Sequence, residues 1–234
     1  GPWMEWIRMA DYVARSLQLD TAHGAIGAYA VDPVAPAWGG LVLVQEIFGV
    51  NAHIRSVAEG WAERGLAVIA PRLMDFVERD VELDYDAEGI ARGRALMAEV
   101  GFDRCIAACA AAAARLRGRA LPTAALGYCI GGSIAFLCCT RLGLPAVSYY
   151  GGRTHAFLHE RPQAPLLLLF GRRDPLIPAE VVEAHRDALP EARIELFEAG
   201  HGFNCEQRSD YDANAAARAL QVSLDFLRQT LHGP

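Results

Sequence analysis

A cysteine between two glycines, at the end of a short apolar run, most constrains what this chain can fold into. The segment reads Gly127-Tyr-Cys129-Ile-Gly131 and follows the apolar residues 123–126. Glycines two positions either side of a central residue permit a tight turn from a strand into a helix, where those positions come close to neighbouring backbone. The pattern therefore predicts a strained strand-to-helix turn with Cys129 at its tip.

Cys129 is the candidate nucleophile of such a turn. A thiol ionises far more readily than a hydroxyl, and the N-terminus of the following helix stabilises a thiolate. The alternative is a buried cysteine in a glycine-rich connection, which has no chemical role.

Two later segments supply an acid and a histidine in the chain order that a nucleophile–acid–histidine site requires. The apolar run 164–170 is typical of a strand covered on both faces, and Asp174 follows just past its end. Asp before proline is also frequent in turns for local hydrogen-bonding reasons. His201 is flanked by glycines after the alternating segment 193–197, where few packing neighbours would explain it. The three positions together favour a Cys–His–Asp triad.

Apolar runs alternate with helical patterns, which predicts an α/β protein with a single mostly parallel, doubly wound sheet flanked by helices. The predicted strands are residues 13–19, 25–31, 41–44, 66–70, 123–126, 146–149, 166–170 and 194–197. The predicted helices are residues 53–64, 90–99, 103–117, 131–142, 179–188 and 213–231. The acidic stretch 75–88 has no apolar period and is predicted to form a loop over the site.

Four motifs resemble those of the dienelactone hydrolase family of α/β-hydrolases, and the resemblance extends from about residue 10 to residue 230. The motifs are Gln45-Glu46-Ile-Phe-Gly-Val-Asn51, Gly127-Tyr-Cys-Ile-Gly-Gly132, Asp174 in its turn, and Gly200-His-Gly-Phe203. The resemblance implies an α/β-hydrolase fold and a carboxymethylenebutenolidase-like hydrolase. In it, Cys129, His201 and Asp174 would cleave esters or lactones through an acyl thioester, and Glu46 would keep the thiol unreactive until substrate arrives.

The position of Glu46 in the sequence also supports a physical interpretation that does not depend on the resemblance. It follows the apolar run 41–44, so its carboxylate is expected at the carboxyl end of a strand, where ligands bind in open α/β sheets. If it faces Cys129, it can accept the thiol proton, and the resting pair stays neutral and inert. The alternative is a solvated loop acid. The backbone N–H groups of Ile47 and Ile130 are the expected oxyanion donors.

The substrate-binding residues are less determined than the triad. Many family members bind an anionic lactone through an arginine four residues past the histidine, and here that position is Cys205. Three arginines elsewhere could replace it, namely Arg92, Arg94 and Arg208. Three apolar or aromatic side chains match pocket-lining positions of the family, although each could equally belong to the core: Phe48, Tyr150 and Leu176. A thiolate nucleophile favours activated esters and lactones over amides, because the leaving group must depart more easily than the thiolate.

Two other functions stay open on the same fold. In the first, Cys129 is a redox or electrophile sensor that is oxidised or alkylated without turnover. In the second, the chain is a non-catalytic binding protein. An intact triad together with Glu46 favours the enzyme.

Length, composition and charge exclude several classes of protein. With 234 residues, 53% of them hydrophobic, the chain can bury one large core, which predicts a single domain over residues 3–234. The net charge of −6 offers no basic surface for nucleic acid, and because all 22 basic residues are arginine, lysine chemistry is excluded. No segment has the apolar length of a membrane span, and residues 4–20 carry charges where a signal peptide needs an apolar run, so a cytoplasmic protein is expected. Gly1 and Pro2 resemble a scar left by cleavage of an expression tag.

The six cysteines include no C-x-x-C pair and no Cys/His ligand cluster in sequence, so neither a zinc site nor another cofactor is expected. Four of them lie in helical patterns and are expected to be small buried hydrophobes: Cys105, Cys109, Cys138 and Cys139. The expected partner is a small ester or lactone, with the protein a monomer or a small homo-oligomer.

Overall fold

The computed structural model describes residues 11–234. At the centre of this part of the chain lies a mostly parallel sheet of eight strands. Its strands are β1 Tyr12–Thr21, β2 Gly24–Pro33, β3 Gly39–Val44, β4 Leu66–Pro71, β5 Thr123–Tyr128, β6 Ala146–Tyr149, β7 Leu166–Gly171 and β8 Arg193–Phe197. Across the sheet the order is β1-β2-β4-β3-β5-β6-β7-β8. β1 and β2 are antiparallel to their neighbours, and the remaining pairs are parallel. The predicted strands and the doubly wound arrangement are confirmed, while the predicted tag scar at Gly1 and Pro2 lies outside the described residues.

Helices flank this sheet. Within residues 11–234 they are α1 Ala52–Glu63, α2 Ala87–Arg117, α3 Ile130–Leu142, α4 Ala179–Ala188 and α5 Ala213–Leu231. α1, α2 and α5 each begin after a side chain that accepts a hydrogen bond from a backbone N–H three residues on, and these caps are Asn51, Asp86 and Asp212. In this part of the chain, no helix combines the length and apolar character that a membrane crossing requires.

α2 joins two predicted helices, residues 90–99 and 103–117, across a break. Gly101 lies between them with φ 77° and ψ 159°. Because glycine has no Cβ, it adopts this positive φ at little steric cost. The break allows the two halves of α2 to run in different directions, and both reach the cavity described below.

The acidic stretch 75–88 lies beside the site and is partly regular, so the prediction of a loop over the site is wrong in part. Asp75 belongs to a short 3-10 helix and accepts a hydrogen bond from the backbone N–H of Gly27 at 2.9 Å. Asp86 caps α2, which already begins at Ala87. Both carboxylates thus stabilise local backbone structure, a role that the spacing of apolar residues in a sequence does not reveal. No residue of the stretch 75–88 lines the cavity beside Cys129.

The central strands bring the predicted site residues to one edge of the sheet. All residues of the five strands β3 to β7 are buried, as expected when helices cover both faces of the sheet. Because β3, β5, β7 and β8 run parallel, their carboxyl ends share that edge. The connections that leave these ends carry Glu46, Cys129, Asp174 and His201.

Candidate active site

Cys129 occupies a strained turn between β5 and α3. Its backbone has φ 60° and ψ −126°, a conformation that non-glycine residues rarely adopt. The N–H of Cys129 donates to the carbonyl of Tyr149 at 3.0 Å, and its own carbonyl accepts from Gly132 at 2.9 Å. The residue is therefore held from the strand side and the helix side at once, with its sulfur at the N-terminus of α3.

Two glycines allow this turn because backbone passes directly over them. A Cβ atom on Gly127 would lie 1.9 Å from the carbonyl oxygen of Gly131. A Cβ atom on Gly131 would lie 2.4 Å from the carbonyl oxygen of Val44 and 2.3 Å from that of Gln45. The predicted need for small residues at both positions is confirmed, and the second contact ties α3 to the end of β3.

The structure brings the three predicted triad side chains together. The Sγ of Cys129 lies 3.2 Å from Nε2 of His201, and Nδ1 of His201 lies 2.6 Å from Oδ2 of Asp174. The other carboxylate oxygen of Asp174 accepts a hydrogen bond from the N–H of Leu176 at 2.8 Å. Asp174 and His201 are buried while Cys129 is half-buried, so the sulfur is the accessible end of the chain of contacts. This is the geometry of a nucleophile, a base and a group that orients the base.

The surroundings of His201 favour its protonated form. Burial alone would lower the pKa of this imidazole, but hydrogen bonds to Asp174 and Cys129, together with their charges, raise it to about 9. The imidazole can therefore hold a proton taken from the thiol at neutral pH.

Glu46 is buried beside this group and pairs with an arginine. It is 1% exposed, so the alternative of a solvated loop acid is wrong. Its Oε2 accepts a hydrogen bond from Nη1 of Arg208 at 3.1 Å, whereas its Oε1 has no hydrogen-bond partner among the described residues. Burial lowers the pKa of Arg208, but the charge of Glu46 and its hydrogen bond, together with the neighbouring Cys129 and Tyr150, raise it above its ordinary value. The hydrogen bonds described for Glu46 and for Cys129 run to different partners, Arg208 and His201.

The two predicted oxyanion donors belong to residues that line the same cavity as the sulfur. Ile130 is the first residue of α3, and N–H groups in a first helical turn have no partner within the helix. Ile47 follows Glu46 in the loop after β3, and a Cβ on Gly93 of α2 would lie 2.1 Å from its carbonyl oxygen. α2 therefore packs directly against the loop that carries Ile47.

A cavity of about 660 Å³ opens above Cys129 and His201. Its apolar wall comes mainly from α2, and its polar lining includes three arginines: Arg94, Arg153 and Arg208. Leu176, predicted to bind substrate, lines this cavity and is 52% exposed. Phe48 and Tyr150, predicted with it, are fully buried and lie beneath the site instead. Phe48 has the guanidinium of Arg208 5.5 Å above its ring, and the Tyr150 ring lies 5.1 Å from that of His201.

Two of the three arginines predicted to replace the family's arginine lie at the cavity, and the third does not. Arg94 and Arg208 line the cavity, whereas Arg92 pairs with Glu78 on the surface and is not part of the lining. Arg153 was missed by the sequence analysis, although its position soon after the carboxyl end of β6 would have been the signal. Its guanidinium lies 5.8 Å from the centre of the Phe102 ring, at the mouth of the cavity.

A second group of chemically active side chains lies next to the triad. Glu46, His53 and Cys205 each present a possible metal-binding atom, and these atoms lie within 4.8 Å of one another. No ligand-spacing pattern in the sequence indicates this group, because Cys205 is far along the chain from Glu46 and His53.

Known proteins share the sequence and the fold of this chain. A profile of the dienelactone hydrolase family matches residues 26–231. The carboxymethylenebutenolidase of Pseudomonas putida is 31% identical over 224 residues, which cover 91% of this chain and 94% of that protein. A crystal structure from Klebsiella pneumoniae subsp. pneumoniae, provisionally assigned as a dienelactone hydrolase, has a TM-score of 0.84 and 26% identity over 93% of this chain and 99% of that one. A dienelactone hydrolase-like promiscuous phosphotriesterase from metagenomic libraries shares the fold, with a TM-score of 0.74 and 22% identity over 93% of this chain and 98% of that one. The α/β-hydrolase fold is thereby established.

We expect Gly131→Ala to lower the free energy of unfolding by at least about 1–3 kcal/mol, because the new Cβ meets backbone carbonyls that cannot move aside. Urea unfolding followed by circular dichroism measures the difference. Gly60→Ala in α1 is the matched control, since the nearest atom to its Cβ is 3.5 Å away on the flexible Arg64 side chain. Equal unfolding midpoints for the two variants would contradict the close packing at Gly131.

We expect His201 to titrate near pH 9, and to titrate at lower pH in Asp174→Asn, which lacks the charge that stabilises the imidazolium. NMR signals of histidine followed against pH measure both values, and His201→Ala identifies the resonance. Because the folded-state pKa lies above the ordinary 6.5, the associated stabilisation is complete below about pH 6.5 and is lost as the pH rises through about 9. Identical titration in both proteins would show that Asp174 does not act on this imidazole.

Proposed function

Because this chain belongs to the dienelactone hydrolase family and is a hydrolase acting on ester or lactone bonds, we propose that Cys129 performs the hydrolysis through an acyl thioester. The observation that carries the proposal is the contact of 3.2 Å between the Cys129 sulfur and Nε2 of His201, at a helix N-terminus that opens into the cavity. Asp174 supports the assignment because its carboxylate holds Nδ1 of the same ring at 2.6 Å.

In the first half-reaction, His201 takes the thiol proton and the thiolate attacks the carbonyl carbon of the substrate. A C–S bond forms, and the carbonyl oxygen becomes an oxyanion that the N–H groups of Ile47 and Ile130 stabilise. When this intermediate collapses, the C–O bond of the ester breaks and the imidazolium of His201 gives its proton to the departing oxygen. In a lactone, that oxygen stays attached to the acyl group.

In the second half-reaction, His201 removes a proton from water, and the resulting nucleophile attacks the thioester carbon. The same two N–H groups stabilise the second oxyanion. The C–S bond then breaks, the carboxylic acid leaves, and the imidazolium of His201 returns its proton to the sulfur, which restores the thiol. Asp174 keeps the imidazole in one orientation and tautomer through both halves.

We assign Glu46 to the control of thiol reactivity. Glu46 is buried at the same edge of the sheet as Cys129, and its negative charge disfavours a second negative charge on the sulfur electrostatically. Arg208 holds this carboxylate and also lines the cavity, so a substrate anion that reaches Arg208 competes with Glu46 for it. Substrate binding would thus change the position of Glu46 at the moment when the thiolate is needed.

The cavity supports a substrate that combines an apolar part with a carboxylate. Ile90, Met97 and Phe102 line an apolar wall, and the exposed guanidinium groups of Arg94 and Arg153 stand beside it. Arginine binds carboxylates through two parallel hydrogen bonds, which would orient such a substrate over Cys129. Because Cys205 stands where many family members have an arginine, we assign the binding of a substrate carboxylate to Arg94 and Arg153.

We expect Cys129→Ala to lower kcat/KM for p-nitrophenyl acetate by at least about 10³-fold, since the variant has no nucleophile. Cys138→Ala and Cys139→Ala are the controls, because both thiols are buried in α3 away from the cavity and are expected to leave turnover unchanged. Mass spectrometry of the reacting parent should show an acyl adduct on Cys129. Full activity in Cys129→Ala would overturn the proposal, and a stoichiometric burst without turnover in the parent would favour a thiol sensor.

His201→Ala should abolish turnover, whereas His155→Ala, at an exposed position, should not.

We expect Glu46→Gln to lose ester turnover while its Cys129 reacts with iodoacetamide at least as fast as in the parent at neutral pH. The substitution removes a negative charge near the thiolate and also removes a group that can accept its proton. Alkylation rates measured against pH in both proteins test this, with Glu198→Gln, an exposed acid in a surface ion pair, as the control. Full turnover with an unchanged alkylation profile would mean that Glu46 has no part in the reaction.

A further inference from the structure

We propose that Glu46, His53 and Cys205 form a binding site for a zinc-like divalent cation, separate from the Cys129 sulfur. Their donor atoms are a carboxylate oxygen, an imidazole nitrogen and a thiol sulfur, all within 4.8 Å of one another. This is the mixture of O, N and S ligands that zinc accepts in proteins. The three side chains are buried, with exposures of 1%, 8% and 0% respectively, so the donors are screened from competing water.

The backbone positions of the three residues are fixed by the fold. Glu46 is the second residue after the buried strand β3, and His53 lies in the first turn of α1, which Asn51 caps. Cys205 lies in a turn in which its N–H donates to the carbonyl of Gly202 at 3.0 Å. Ligand atoms around a tetrahedral zinc lie about 3.5 Å apart, given bonds of roughly 2.0–2.3 Å. The donor atoms, which lie within 4.8 Å of one another, would have to move closer by about 1 Å, a distance that side-chain rotation can supply.

An unsatisfied oxygen at this place points independently to a ligand. Oε1 of Glu46 is buried and has no hydrogen-bond partner among residues 11–234, whereas Oε2 is bound to Arg208. A buried carboxylate oxygen without a partner is costly, and such groups in folded proteins are normally satisfied by a donor, a water or an ion. A cation coordinated by Glu46 would remove this cost.

The charges of the bound state also balance. Binding forms metal–oxygen, metal–nitrogen and metal–sulfur bonds and releases the thiol proton of Cys205 to solvent. The carboxylate and the thiolate then offset the two positive charges of the ion, while the imidazole of His53 binds in its neutral form. Arg208 is the nearby cation that would compete with the metal for Glu46.

The site has a route to solvent that does not pass the Cys129 sulfur. His53 lines a second cavity of about 400 Å³ between α1 and α5, together with Asn204 and Glu206 on either side of Cys205. An ion can therefore reach His53 through a cavity whose lining includes neither Cys129 nor His201, and the carboxylate of Glu206 favours its entry.

Binding of the ion has a consequence for turnover that rests on the proposed function. The metal and Arg208 would both bind the carboxylate of Glu46, so an occupied site holds Glu46 in place and prevents the change of position that we propose for substrate binding. We therefore expect zinc to reduce ester hydrolysis without touching Cys129.

The binding test uses the full chain with Cys129→Ala as background, because zinc also binds reactive thiols. Titration with Zn²⁺ against a chromophoric chelator is expected to give one ion per chain, and Cys205→Ser and His53→Ala should each weaken binding at least about 10-fold. Co²⁺ should give a thiolate charge-transfer band that is lost in Cys205→Ser and kept in Cys138→Ala. Circular dichroism spectra and unfolding midpoints check that both ligand variants fold. Zinc binding of equal strength in all the variants, or no binding in the background protein, overturns the proposal.

The turnover test uses p-nitrophenyl acetate and the chain with its native Cys129. Zinc should inhibit this protein, and Cys205→Ser should resist inhibition at the same free Zn²⁺ concentration. Equal inhibition of both would place the inhibitory ion on Cys129 and overturn the link to Glu46. Absence of hydrolysis in the parent would remove the proposed function and leave the result of the binding test standing.

Discussion

The close backbone contact between the start of α3 and the end of β3 is the constraint on which the rest of the site depends. Because Gly131 has no side chain, α3 lies against the carbonyl groups of Val44 and Gln45. That approach sets Cys129 beside the loop of Glu46 and Ile47, and it directs the N-terminus of α3 into the cavity. A helix N-terminus favours negative charge, both on a thiolate and on an oxyanion. Cys129 and its electrostatic surroundings are thus positioned by one contact between main chains.

Two buried carboxylates next to the cavity differ in how completely they are held. Both oxygens of Asp174 have partners, in His201 and in the N–H of Leu176, so this side chain is fixed. Glu46 uses one oxygen for Arg208, and its other oxygen has no hydrogen-bond partner within residues 11–234. A fully bonded carboxylate suits the orientation of an imidazole. A half-bonded one suits exchange between partners, which is the property common to both roles we propose for Glu46.

The sequence was sufficient for the strands and for the triad positions because both rest on local patterns. Buried strands appear as continuous apolar runs, and the cysteine turn, Asp174 and His201 each follow such a run in a defined order. The pairing of Glu46 with Arg208 follows no period and no spacing, since it depends on how distant loops meet at the sheet edge. The same holds for the approach of Cys205 to His53. Asp75 and Asp86 were assigned to a loop because charged residues give no apolar period, although their carboxylates bind backbone N–H groups of neighbouring elements.

The two halves of α2, on either side of the break at Gly101, differ in how much they contribute to the cavity and to the core. Before Gly101, side chains such as Arg94 and Met97 face the cavity. Beyond it, Phe102 and Cys105 still line the cavity, and the small buried residues farther along, such as Ala108 and Ala112, pack in the core. Substitutions in the first half change the shape and charge that a substrate meets, while the second half keeps its packing. Substrate preference can therefore be altered along one helical segment at little expense to the stability of the fold, which makes this half-helix a natural target for directed evolution.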